Sequence, residues 1–118
     1  MTTLVEDLNT LLTTLAPAGG VWALMNTSEP AVYPYIVFQR IVSTDNVNMV
    51  SPSAIQNTRV QVDIYARKLS DAVTLQKALE AAFMNWAVQN VPISSQDVYE
   101  DSVKAFRVIR EFSVWATN

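Results

Sequence analysis

The clearest alternation of polar and apolar residues in the chain is Arg59-Val60-Gln61-Val62-Asp63-Ile64-Tyr65-Ala66. Side chains of a strand point to alternate faces. Val60, Val62, Ile64 and Ala66 are therefore expected on a buried face, with Arg59, Gln61, Asp63, Tyr65 and Arg67 on the other. After a break at Lys68-Leu69 the period changes. Ala72, Leu75, Leu79, Ala82, Phe83 and Trp86 return at spacings of three and four, the pattern of an amphipathic helix. Ser70 is placed to cap that helix and Asp71 to complement the positive end of its dipole. Residues 58–86 thus form a strand feeding a helix, both built to pack.

Upstream, Leu4, Val5, Leu8, Leu11, Leu12 and Leu15 make one apolar stripe, predicting a helix over 4–15. Thr3 and Glu6 have the spacing of a capping box, and Pro17 with Gly19 and Gly20 ends the helix. Such a stripe packs on the domain's own sheet more often than on a partner. Residues 21–25 predict a short strand and 26–30 a loop. Tyr33-Pro34-Tyr35 leads into a strand over 35–43, with Pro34 at its mouth because proline cannot donate to a ladder. Alternation along this strand sets Ile36, Phe38 and Val42 with Arg40, and Tyr35, Val37 and Ile41 with Gln39. Both faces are substantially apolar, so both should be covered, the second by another subunit if the chain's two helices occupy the first.

The stretch 44–57 is long and polar where connections have a median of about four to six residues. It holds Val47, Met49, Val50 and Ile55, which a purely solvated loop would not need. It is either a hairpin tip or an arm that orders on a neighbour. Val91-Pro92 is expected to end the helical region, with strands over 93–100 and 104–116. On the last strand Arg110 interrupts the apolar face of Phe106, Val108, Phe112 and Val114, so it should be bulged out or paired with a buried carboxylate. The order α-β-β-β-α-β-β predicts an α+β two-layer domain over residues 1–118, a mainly antiparallel sheet with two helices packed on one face.

Composition removes most chemistry. The chain of 118 residues has no cysteine and no histidine, which excludes thiolate chemistry and the commonest general base and metal ligand. The only two glycines are adjacent, so there is no phosphate-binding glycine loop. Asp97, Glu100 and Asp101 could hold a hard cation but fit a hairpin tip equally well. No catalytic residue, cofactor or metal is assigned. Eight Lys plus Arg, scattered among eleven acids, give a net charge of −3, against the basic patch that duplex binding needs. With no basic N-terminal region and no apolar run near about eighteen residues, neither export nor a membrane is expected, and the chain should be made in a cytoplasm.

The order and spacing of these features resemble the tail-completion proteins of long-tailed bacteriophages, also called tail terminators or head–tail joining proteins. The resemblance rests on the leucine-striped first helix, the short strand before a loop and the Tyr-Pro-Tyr-Ile-Val-Phe strand entry. The Arg-Val-Gln-Val-Asp-Ile-Tyr-Ala strand and the helix over 71–83 complete it. It covers residues 4–83, with a weaker match in the last hairpin, and its motifs are packing patterns. The resemblance implies a virion protein forming a ring, usually a hexamer, that caps the tail tube and meets the head connector or stopper. The genome would pass through the channel without specific binding. Net negative charge suits such a channel. For contacts with neighbours the residues singled out are Arg59, Gln61, Asp63, Tyr65 and Arg67, with the stretch Asp45, Asn46, Val47, Asn48, Met49 and Val50. The alternatives are another neck component, such as a connector or stopper, and a small cytoplasmic enzyme or regulatory binding module. Convergent carboxylates in a pocket would favour the enzyme.

Overall fold

The structure, a computed structural model, describes residues 3–27, 31–44 and 56–116. Helix α1 (Leu4–Thr13) opens with the expected capping box: the Glu6 amide donates to the Thr3 hydroxyl, and the Thr3 amide donates to the Glu6 carboxylate. The helix stops two residues before the end of the leucine stripe. The Leu15 and Ala16 amides reach back only three residues, and Ala16 then takes a left-handed backbone that closes the helix. The chain turns at Gly19, where a Cβ would collide with the Val32 carbonyl oxygen. Strand β1 (Val21–Ala23) is shorter than the apolar run because Leu24 also adopts a left-handed backbone.

Strand β2 (Tyr35–Thr44) begins just after Pro34. Strand β3 (Gln56–Ala66) is followed by α2 (Leu69–Met84). Lys68, not Ser70, holds the N-cap position of α2 and makes no side-chain cap bond. Ser70 lies inside the first turn, where its carbonyl accepts from the Thr74 hydroxyl. Strand β4 (Gln89–Glu100) starts four residues before the expected position, so Val91 and Pro92 belong to the strand and do not end the helical region. Strand β5 (Ala105–Ala116) completes a five-stranded sheet of order β1-β2-β3-β5-β4. Only β1 and β2 are parallel. The fold is the expected α+β arrangement.

The register explains the core. Val60, Val62 and Ile64 of β3 stand beside Phe112, Arg110 and Val108 on β5, while Ile64 and Val62 stand beside Ile36 and Phe38 on β2. Leu4, Leu8 and Leu12 of α1 and Ala72, Leu79 and Phe83 of α2 join the same cluster, so the leucine stripe packs on the chain's own sheet. Phe83 lies parallel to Phe112 with ring centroids 3.9 Å apart and meets Trp86 edge-on. Strict alternation fails in β2, where a bulge at Ile41 makes Val42, and not Ile41, the partner of Arg59. A second bulge at Ile93 interrupts β4 next to Pro92, which the sheet tolerates because β4 is an edge strand.

Arg110 is not bulged out of the apolar face of β5. Its guanidinium donates to the Ser94 carbonyl and stacks 5.1 Å from the Phe112 ring centroid. Its Nε faces a Glu80 carboxylate oxygen at 3.5 Å, an ion contact without hydrogen-bond geometry, and that carboxylate is well exposed, not buried. Because Phe83 joins α2 to β5 and is fully buried, Phe83→Ala should destabilise the domain by about 3–5 kcal/mol, measurable by urea unfolding.

Candidate interaction surface

The face of the sheet turned away from the helices is set by three register rows: Gln39–Gln61–Glu111–Ser94, then Val37–Asp63–Ile109–Gln96, then Tyr35–Tyr65–Arg107–Val98. Asp63 sits in the middle row between two apolar neighbours and is only 5 % exposed. A carboxylate so placed needs partners, since an unpaired buried charge is strongly destabilising. Arg107 donates to it at 2.7 Å across the diagonal, and the Gln61 amide donates to both its oxygens at 2.9 and 3.1 Å. The other terminal nitrogen of Arg107 donates to Glu100 at 2.9 Å. One cation on β5 thus holds a carboxylate on each of its two neighbouring strands, fixing β4 and β3 to β5.

Aromatic rings continue this network. Tyr35 stacks on Tyr65 at 4.8 Å, and the Arg107 guanidinium lies 5.6 Å from the Tyr65 ring centroid. Arg67 covers the Tyr33 ring at 4.1 Å while donating to the Val103 and Lys104 carbonyls, which ties the β4–β5 turn to the end of β3. Burial raises the Tyr35 phenol to about 12, helped by the neighbouring Tyr33 and Tyr65. Burial also raises the Tyr65 phenol, against the pull of Arg107. For Arg107 burial opposes the charge, but its hydrogen bonds to Glu100 and Asp63 prevail and raise its pKa.

Part of the second face of β2 is buried within a single copy. Leu24, Met25 and Asn26 join Tyr35, Val37, Gln39, Asp63, Tyr65 and Arg107 around a cleft of about 290 Å³. Tyr35 and Val37 are 8 % exposed in a single copy, so no other subunit is needed to bury them. Of the residues expected to meet a neighbour, Arg59 and Arg67 are exposed, Gln61 and Tyr65 are half-buried, and Asp63 is internal. Asp45, Asn46, Val47, Asn48, Met49 and Val50 lie outside the described residues. Arg107 and Glu100 complete the network without having been singled out for it. Arg107 has the strand parity opposite to Val108, which puts it on the Asp63 face, and this is the one signal that could have found it.

The arrangement is suited to rigidity and recognition. Asp97 and Glu100, expected together at a hairpin tip, pair with Val108 and Ala105 in registers of opposite parity and so face opposite sides of the sheet. Among the described residues no three acidic side chains converge on a point that could hold a metal ion. A second cavity, of about 430 Å³, lies on the helix side between the end of α2 and the β4–β5 hairpin, lined by Phe83, Trp86, Pro92, Arg110 and Phe112 among others.

Two outcomes follow from the network. Arg107→Leu strands Asp63 in its row and should destabilise the fold by about 3–5 kcal/mol, whereas the double variant Asp63→Leu/Arg107→Leu should recover most of the loss in urea unfolding. Tyr35 binds its proton more tightly folded than unfolded. Its contribution is therefore complete below about pH 10 and is lost as pH rises toward about 12, so Tyr35→Phe should flatten the fall in stability across that window.

A family model described as "Tail completion protein gp17" matches residues 7–117. Among solved structures, a chain from a "Virion of native gene transfer agent (GTA) particle" is similar to this one with a TM-score of 0.62 at 10% identity, over 91% of this chain and 84% of that chain. At that identity the likeness is one of fold. No curated protein sequence matches the chain.

Proposed function

The chain belongs to the tail completion protein family, a structural family of the phage tail and neck, and on that premise we propose that it works as a tail terminator. In this reading copies of the chain close into a ring, a hexamer, on the finished end of the tail tube. The ring presents its other side to the head connector or stopper, and the genome passes through it without specific contacts. The carrying observation is the family match over residues 7–117, nearly the whole chain. The fold likeness to a chain of a phage-like particle is consistent with it.

The residues of this face divide the work. Asp63, Tyr65 and Gln61 are engaged inside the subunit and act by holding the sheet rigid. Arg59 is exposed and stands near the start of β3, beside the exit of the stretch 45–55, so these two are assigned to contacts with the tube or a neighbouring copy. Arg67 serves the β4–β5 turn.

Electron microscopy of the protein mixed with its tail tubes should show a cap at one end of each tube. A protein that ignores the tubes and binds the connector instead is a neck component of the head side. Deleting residues 46–53 should abolish capping or ring formation while circular dichroism and the unfolding midpoint report an intact monomer. Rings that persist after the deletion would remove this stretch from the interface.

A further inference from the structure

We infer that the two opposite edges of the sheet are the two halves of a contact between successive copies of this chain: β4 of one copy against the β1–β2 edge of the next. The inference rests on the ring reading above and names the surfaces that would close it. Its first support is where apolar surface remains. Eight of the ten exposed large hydrophobic residues among the described residues lie along these edges. Leu24 and Met25 follow β1, Val32 leads into β2 and Ile41 sits at its bulge. Val91, Ile93 and Tyr99 lie on β4, and Val103 lies in its turn. Each is between 40 and 70% exposed. Leu24, the second most exposed of the ten, also carries a left-handed backbone that a branched side chain rarely adopts, and such strain is concentrated at functional positions.

The second support is the backbone. β4 pairs with β5 alone, and β1 covers only Ile36–Phe38 of β2, so both edges keep a run of ladder positions without a partner strand among the described residues. β2, β3, β5 and β4 alternate in direction along the sheet. Setting β4 of one copy beside β2 of the next therefore continues the antiparallel order. The bulges reinforce the match. Ile41 and Ile93 are the extra residues of the two edge strands and lie on opposite sides of the row that holds Arg40, Val60, Phe112 and Pro92, so the exposed isoleucines stand within about one residue's rise of each other on opposite edges.

Charge selects the head-to-tail contact over a two-fold one. The β1–β2 edge carries exposed Arg40 and no acid among its described residues, whereas β4 and its turn carry exposed Asp97 and Asp101 against one cation, Lys104. Pairing β4 with β4, or β2 with β2, would bring like charges together. Pairing unlike edges avoids both, and a contact between two different patches is the kind that generates rings.

The absence of cysteine makes the test direct. Ile41→Cys and Ile93→Cys place single thiols at exposed bulge positions, and Leu24→Cys with Tyr99→Cys provides a second pair. Each variant is bound to tail tubes, alone and in mixtures, and treated with a short bis-maleimide. The expected result is a covalent dimer several-fold more abundant in the mixtures than in either single variant, with a ladder of multimers from Ile41→Cys/Ile93→Cys. Dimers of one variant with itself would overturn the head-to-tail contact. Capped tubes without adducts from either pair would overturn the edge contact and leave the ring reading standing. Tubes without caps, and protein that stays monomeric, would overturn both.

Discussion

A strand paired along both of its edges has its ladder positions satisfied, so its side chains alone decide what its two faces do. β3 is that strand here, with β2 on one side and β5 on the other along its length. Its helix-side residues are fully buried, which fixes the position of both helices. Its opposite side carries one carboxylate that cannot be left alone, and Asp63 therefore dictates where Arg107, Gln61 and, through Arg107, Glu100 must be. A polar requirement on one face and an apolar one on the other together allow a single register, because a one-residue slip would exchange them.

How far the sequence anticipates this depends on the kind of signal each element carries. The alternation from Arg59 to Ala66 and the stripe from Leu4 to Leu12 are periodic, and the strand, the helix and their buried faces follow from them. The capping box is a local pattern and forms as read. Where the signal is tertiary, the reading fails. Gln89, Asn90 and Pro92 have no strand character of their own and are extended because β5 offers a neighbouring edge. Ser70 is the better capping residue, yet the helix begins before it. The ion-pair network joins Asp63 to residues far along the chain, and no spacing rule connects them. The α+β class was legible; of the interaction surface, only the parity of the Asp63 face was.

The burial of Tyr35 and Val37 within a single copy changes what the polar face can offer a partner. Tyr35 and Val37, which would have been natural anchors, are already spent inside the subunit, as is the Tyr65 ring. The face that remains is a stiff platform of amides and paired charges. Stiffness matters in a protein whose proposed work is to match a fixed tube end, since a preorganised surface loses little entropy when it docks.

The strand order has a consequence in time. β5 is made after the other four described strands, yet it lies between β3 and β4, pairing Ala66 with Phe106 at one end and Gln56 with Ala116 at the other. Contacts so distant in sequence close late, because the loop entropy must be overcome before they form. Until β5 has left the ribosome, Asp63 has no Arg107, Phe83 has no Phe112, and β4 has no sheet to join. Before that point the nascent chain carries neither a finished core nor a sheet with β4 at its edge.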